Sequence, residues 1–139
     1  MIELLSQLYR DEGEILDAYQ DSLGFWTIGI GRLIDRRKGG GISHEESGLL
    51  LLNDIKKHTD EVISRLPWAL SLPGPRLGAL INMHFQMGNG LFGFVNTLEL
   101  MRTGQWAAAA KAMLASKWAK QTPERALRIS EQVRLNQWK

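Results

Sequence analysis

The sequence predicts an α+β fold, mostly helical. A small N-terminal part with a β-hairpin or short sheet is joined by one long helix to an all-helical C-terminal part. Three observations carry this prediction. Extended, turn-bounded segments are confined to the stretches flanking Asp21-Ser22-Leu23-Gly24. Apolar residues then recur at helical spacing without a break from a capping-box sequence at Ser43 to Pro67. Beyond Pro75 the pattern stays helical, punctuated by Gly88, Asn89-Gly90, Gly104 and Thr122-Pro123.

The first helix is expected over residues 2–12, where Ile2, Leu5, Leu8 and Tyr9 form an apolar stripe. Glu12 continues that stripe, three residues after Tyr9 and four after Leu8. An acid on a greasy face is costly unless used or paired, and burial disfavours its charged form. Glu12 is therefore a natural candidate to hold a proton near neutral pH and give it up in catalysis. Gly13 can cap the helix in a left-handed conformation.

A hairpin is expected next, turning at Asp21-Ser22-Leu23-Gly24, where Asp first and Gly last suit a type I turn. In the second strand Thr27 shares a side with Phe25 and Gly29, while Trp26, Ile28 and Ile30 share the other, and the Thr27 face is expected to be the open one. Glu12, Asp21 and Thr27 could then converge on one site. Glycoside hydrolysis needs such a set, with a protonated carboxyl for the leaving oxygen and a carboxylate to activate water or attack the sugar. Taken singly, Asp21 also reads as a turn former and Thr27 as an ordinary strand residue.

The long helix opens at Ser43-His44-Glu45-Glu46 and carries Leu49, Leu52, Ile55, Val62, Ile63 and Leu66. At 1.5 Å per residue it spans on the order of 35 Å, enough to connect two lobes. A further helix with Leu77, Leu80, Ile81, His84 and Phe85 is expected to end at Gly88, followed by a short one near Asn96–Arg102 and an alanine-rich one over Trp106–Ser116. Thr122 and Pro123 supply an N-cap and first-turn pair for the last helix. Trp106, Met113 and Trp118 are expected in the core.

With 139 residues and 44% hydrophobic content, the chain can bury a real core as one compact domain or two small lobes. It has no cysteine, so neither disulfides nor thiolate metal sites hold it together. His44, His58 and His84 show no ligand spacing along the sequence, so neither a metal site nor a cofactor is expected. The start lacks a signal-peptide pattern. The longest wholly apolar runs, Leu49–Leu52 and Trp106–Ala110, fall far short of the roughly 20 residues that span a bilayer. The expectation is a soluble protein made in the cytoplasm, without membrane insertion, and a monomer.

Charge is uneven: residues 1–99 carry nine Lys and Arg against thirteen Asp and Glu, and residues 100–139 carry eight against two. A basic C-terminal part would be attracted to anionic surfaces such as a bacterial wall, although charge alone favours a solvated basic face. No nucleic-acid motif accompanies it, and the Arg36-Arg37-Lys38 cluster adjoins Gly39-Gly40-Gly41 in a loop, so no nucleic-acid partner is expected.

Glu12, Asp21 and Thr27, followed by Ile28-Gly29-Ile30-Gly31, resemble the active-site signature of the T-even phage lysozymes, the muramidases of glycoside hydrolase family 24. Asn82-Met83-His84-Phe85-Gln86-Met87-Gly88 resembles the cleft-lining helix of that family, and Gln121-Thr122-Pro123-Glu124-Arg125-Ala126 resembles its late helix start. The resemblance covers nearly the whole chain. It implies a single lysozyme-like domain over residues 1–139 with a cleft between its lobes. The small lobe would cover about 13–42, the connecting helix about 43–66 and the helical lobe about 74–139, with helix 2–12 packing on the last. It further implies a peptidoglycan hydrolase that cleaves the β-1,4 bond between N-acetylmuramic acid and N-acetylglucosamine, reaching the wall after release through a separate pore or as part of a phage tail.

Residue by residue, the resemblance makes Glu12 the general acid and Asp21, helped by Thr27, the holder of the attacking water, which means inversion at the anomeric carbon. Leu33, Phe85 and Gln86 match cleft-lining positions, Thr97 matches a small hydroxyl residue, and Arg125 matches an arginine that approaches the acid. For Phe85, core packing is an equal alternative. Three departures stand out. Arg32 replaces the family's usual histidine, Ala112 replaces an asparagine of some relatives, and the stretch Ile34–Ile42 is short. A non-catalytic wall-binding or tail module of the same fold is the competing reading, against which the catalytic trio argues.

Overall fold

Local chemistry sets the element boundaries in the computed structural model, which describes residues 2–139 apart from the Leu4 side chain. Helix α1, Ile2–Glu12, stops at Gly13, whose φ of +71° and N–H bond to the Tyr9 carbonyl at 3.1 Å make a left-handed cap that glycine adopts without strain. Strands β1 (Ile15–Gln20), β2 (Trp26–Gly29) and β3 (Arg32–Leu33) follow as an antiparallel sheet in that order. The β1–β2 turn has the predicted bond from Gly24 N–H to the Asp21 carbonyl at 2.9 Å. Asp21 N–H closes on the Phe25 carbonyl at the same distance, with Gly24 at φ +80°. This is a type I turn followed by a left-handed residue, the usual three-residue hairpin loop.

The segment after β3 folds back on β2. The N–H groups of Ile34 and Asp35 both donate to the Trp26 carbonyl, at 2.9 and 3.2 Å. A 3-10 turn at Arg36–Lys38 then brings the Lys38 ammonium 4.5 Å above the Phe25 ring. The sheet face shared by Phe25 and Thr27 is therefore the covered one: Thr27 is 4% exposed, whereas Trp26 on the other face is 46% exposed. This corrects the expectation of an open Thr27 face, which the strand's alternation alone could not decide.

Helix α2, His44–Arg65, starts with the capping box in place: Glu46 N–H donates to Ser43 Oγ at 3.2 Å and Ser43 N–H to Glu46 Oε2 at 2.8 Å. The chain divides into two compact units, residues 1–50 and 51–139, with the boundary inside α2.

The second unit contains α3 (Gly74–Met87), α4 (Val95–Arg102), α5 (Trp106–Leu114), α6 (Lys117–Gln121) and α7 (Pro123–Leu135). Its core is built from Leu80, Met83, Leu91, Met101, Met113 and Val133, each at most 1% exposed. Small residues let helices approach closely, with Ala109 of α5 and Ala126 of α7 fully buried. Two polar ties fix α3 to α7: the Gln132 amide donates to the Pro75 carbonyl at 2.7 Å, and Arg76 Nε donates to the Val133 carbonyl at 2.9 Å.

Met113 and Trp118 are in the core as predicted, and Trp106 packs partly buried against it. Helix α6 has no counterpart among the predicted elements; Ser116 caps it by accepting from Ala119 N–H at 3.1 Å. Thr122 was expected to cap α7 through its side chain, but its hydroxyl donates instead to the Trp118 carbonyl of α6 at 3.1 Å. The short α6 offers that acceptor, and Pro123 still begins α7.

Candidate active site

In the first unit, the sequence places Glu12 at the end of α1 and Gly31 in the β2–β3 turn, and the two meet. A Cβ built on Gly31 would lie 2.9 Å from Glu12 Oε2, and Gly31 has φ +69°. Only a residue without a side chain lets the carboxylate rest there, and only glycine takes that backbone conformation freely. Glu12 itself is exposed, as are Leu5, Leu8 and Tyr9 of the predicted stripe. The desolvation expected from a greasy helix face is therefore not what distinguishes this acid; its seat on a bare Cα is.

Asp21 and Thr27 are tied to the same residue. Asp21 Oδ1 accepts the N–H groups of Leu23 and Phe25, each at 2.9 Å, and Thr27 Oγ1 donates to the Phe25 carbonyl at 3.1 Å. The turn-forming role of Asp21 is thus real, and it engages Oδ1 alone among the described contacts. Leu33 lies directly opposite Thr27 in the sheet and so shares its face.

Arg32 pairs with Glu46. One guanidinium nitrogen lies 2.6 Å from Oε1 and the other donates to Oε2 at 2.8 Å, a two-pronged bond that ties β3 to the start of α2. That bond, with the Ser43 N–H, holds the Glu46 carboxyl below its ordinary pKa. In the adjoining loop the Arg37 guanidinium holds the buried Asp35 carboxyl down to about 2.

In the second unit, Phe85 and Arg125 line one pocket of about 410 Å³ together with Ile81, Asn82, Gly78 and Trp138. Asn82 locks Arg125: its Oδ1 accepts from Nε at 2.9 Å and from Nη2 at 2.7 Å, and its carbonyl accepts from Nη2 at 3.2 Å. Phe85 is 41% exposed where it lines this pocket, and its ring centroid lies 4.8 Å from that of His58. Gln86 is turned to another partner, with Oε1 accepting from Trp118 Nε1 at 2.9 Å. Thr97 is 4% exposed on the buried side of α4 beside Leu98 and Met101, outside the residues lining the Phe85 pocket.

Asn82 as the clamp on Arg125, and Trp138 at the pocket, were not legible in the sequence. Trp138 lies so close to α3 that a Cβ on Gly78 would be 2.3 Å from its ring. A glycine inside a helix is the one signal that could have marked a close neighbour there.

His58 on α2 and His84 on α3 meet at 2.7 Å between their Nδ1 atoms, and Glu61 is beside them, although no sequence spacing announced it. Burial first, and then the neighbouring His58, push the His84 pKa below its ordinary value, against the opposing pull of Glu61.

The model of the family described as phage lysozyme matches residues 10–132. A probable T4-type lysozyme of Dictyostelium discoideum is 35% identical, over 88% of this chain and 88% of its own length. The chain belongs to the phage lysozyme family. The endolysin of Salmonella phage P22 is 33% identical over 86% of the chain and 84% of its own length. The pre-baseplate central spike protein Gp5 of Enterobacteria phage T4 is 32% identical over 93% of this chain, which corresponds to 27% of that larger protein. Membership in the phage lysozyme family agrees with the observed α+β, mostly helical architecture.

Proposed function

We propose that the chain is a muramidase, cleaving the β-1,4 bond between N-acetylmuramic acid and N-acetylglucosamine of peptidoglycan with inversion. Membership of a lysozyme family carries the coarser function, a glycoside hydrolase acting on peptidoglycan. The residue roles are our own reading, and the seating of Glu12 on Gly31 is the observation that carries them. A carboxyl that lies against a turn with no side chain beneath it is exposed and unobstructed, and so can reach the bridging oxygen of a glycan.

In this scheme Glu12 protonates the leaving oxygen while water attacks the anomeric carbon from the opposite side. Asp21 takes the water's proton. Its Oδ1 is fixed by two N–H groups, which aims the carboxylate and leaves Oδ2 for the water. Thr27 gives its own hydrogen to the Phe25 carbonyl, so its lone pairs are left to accept the water's second O–H. At 4% exposure Thr27 suits contact with one water rather than a sugar ring. A glycan laid over Gly31 would exclude solvent from Glu12, supplying the dry surroundings that the free protein lacks.

Within the second unit, Phe85 offers a ring and Arg125 a fixed guanidinium to saccharide or peptide groups of the wall. Gln86, engaged by Trp118, and Thr97, buried on α4, would serve packing rather than contact with the glycan. No described helix is long and apolar enough to cross a membrane, and delivery through a separate pore or within a phage tail is part of the proposal.

Replacement of Glu12 by Gln keeps size and hydrogen bonding but removes the transferable proton. The expected result is release of reducing ends from purified peptidoglycan by the unmodified protein and a loss of roughly 100-fold or more in the variant, the scale of general acid catalysis. Equal release by the two proteins would eliminate Glu12 as the acid.

A further inference from the structure

Helical spacing puts His58 and Glu61, three residues apart, on one face of α2, and α3 presents His84 to the same place. His58 is half-buried, Glu61 is 46% exposed at its side chain, and His84 is 1% exposed. The two Nδ1 atoms are 2.7 Å apart, so one ring must offer a lone pair to the other's N–H. His84 Nε2 is buried without a hydrogen-bond partner, and Glu61 Oε2 lies 3.4 Å from it without completing a hydrogen bond. Buried polar atoms are nearly always satisfied, and an unsatisfied one inside a group of ligating side chains points to a missing partner.

One ligand atom from each of the three residues can be chosen so that all lie within 4.8 Å of one another. Two imidazole nitrogens and one carboxylate oxygen are the donor set of zinc and its neighbours in the first transition row, not of calcium or magnesium. Metal–ligand distances near 2.0–2.2 Å require the donors to draw in, and the exposed Glu61 has the freedom to do so. Exposure on the Glu61 side leaves a position for water.

We propose that His58, Glu61 and His84 bind a divalent transition-metal ion of the zinc type, bracing α2 against α3. The ion would also steady Phe85, whose ring centroid lies 4.8 Å from that of His58. This site uses none of the residues placed in the hydrolytic scheme as proton donor or base, so its test stands apart from that scheme.

The test uses the whole chain without a histidine tag, stripped of metal by a chelator. Calorimetric titration with Zn²⁺ is expected to give one saturable site, Co²⁺ to give the visible bands of a low-coordinate nitrogen–oxygen site, and Zn²⁺ to raise the melting temperature. His58 is only half-buried and Glu61 is exposed, so His58→Gln and Glu61→Gln should keep the fold by circular dichroism. Each should weaken Zn²⁺ binding by more than the roughly 10–100-fold cost of losing an outer-shell partner and abolish the melting shift. His44→Gln, a change in the first unit, should alter neither. Absence of saturable binding to the unmodified chain would overturn the proposal, as would an affinity in both His58→Gln and Glu61→Gln equal to that of the unmodified chain.

Discussion

In residues 51–139, Leu80, Met83, Leu91, Met101, Met113 and Val133 are sealed from water. In residues 1–50, the buried side chains among those described are Thr27 and Asp35, both polar. The second unit is held by packed apolar volume, whereas the first depends on directed contacts: the Asp21 turn, the Arg32–Glu46 and Arg37–Asp35 pairs, the Ser43 capping box, and glycines where the backbone must turn left-handed. The catalytic candidates lie in the part that has least packing. Directed bonds fix the position of a carboxylate without covering it, which a packed core cannot do.

The largest expected effect comes from opening the apolar unit. Leu80→Ala removes a side chain that is 1% exposed, and a loss of about 2–5 kcal/mol is expected in urea unfolding of the second unit. A cost well under 1 kcal/mol would mean the core is loosely packed and the contrast overstated. Gly31→Ala should act the other way. A methyl group there meets Glu12 Oε2 at 2.9 Å and strains a φ of +69°, so the carboxylate must move. Displacement on the scale of 1 Å costs catalysis roughly 100-fold, while unfolding of the second unit should stay unchanged. Full activity in this variant would show that the seat on Gly31 has no bearing on function.

The smallest effect expected is one of acidity. With Asp35 held at about 2 in the folded chain and near 3.9 when unfolded, its contribution to stability is fully present above the unfolded value. It is lost as the pH falls from about 4 through 2. Amide protection factors in residues 25–40, corrected for intrinsic exchange, should fall over that window in the unmodified chain and lose this dependence in Asp35→Asn. The same dependence in both would place the acid sensitivity elsewhere.

Much of this contrast was legible in the sequence, because local rules govern it. The capping box at Ser43, the Asp21–Gly24 turn, the glycine stops at Gly13 and Gly88 and the helical spacing of Leu80 and Met113 act over a few residues, and each forms as read. What was missed depends on contacts distant along the chain. Period-two alternation cannot say which face of β2 is covered until Asp35 and Lys38 fold back over it. The hydroxyl of Thr97 follows its helix into the core. His58 and His84, 26 residues apart, meet only because α2 and α3 pack. In the site itself, Glu12, Asp21 and Thr27 could be named from the sequence, but the use of Gly31 as the seat for Glu12 and of Phe25 as common anchor for the other two needed coordinates.

The account rests on Asp21 activating a water opposite Glu12, and the stereochemistry of the first product reports on that directly. Proton NMR of wall glycan fragments, followed from the first moments of hydrolysis before mutarotation, should show the new reducing end appearing as the α-anomer. First appearance of the β-anomer would mean retention, and would contradict direct attack by a water that Asp21 holds.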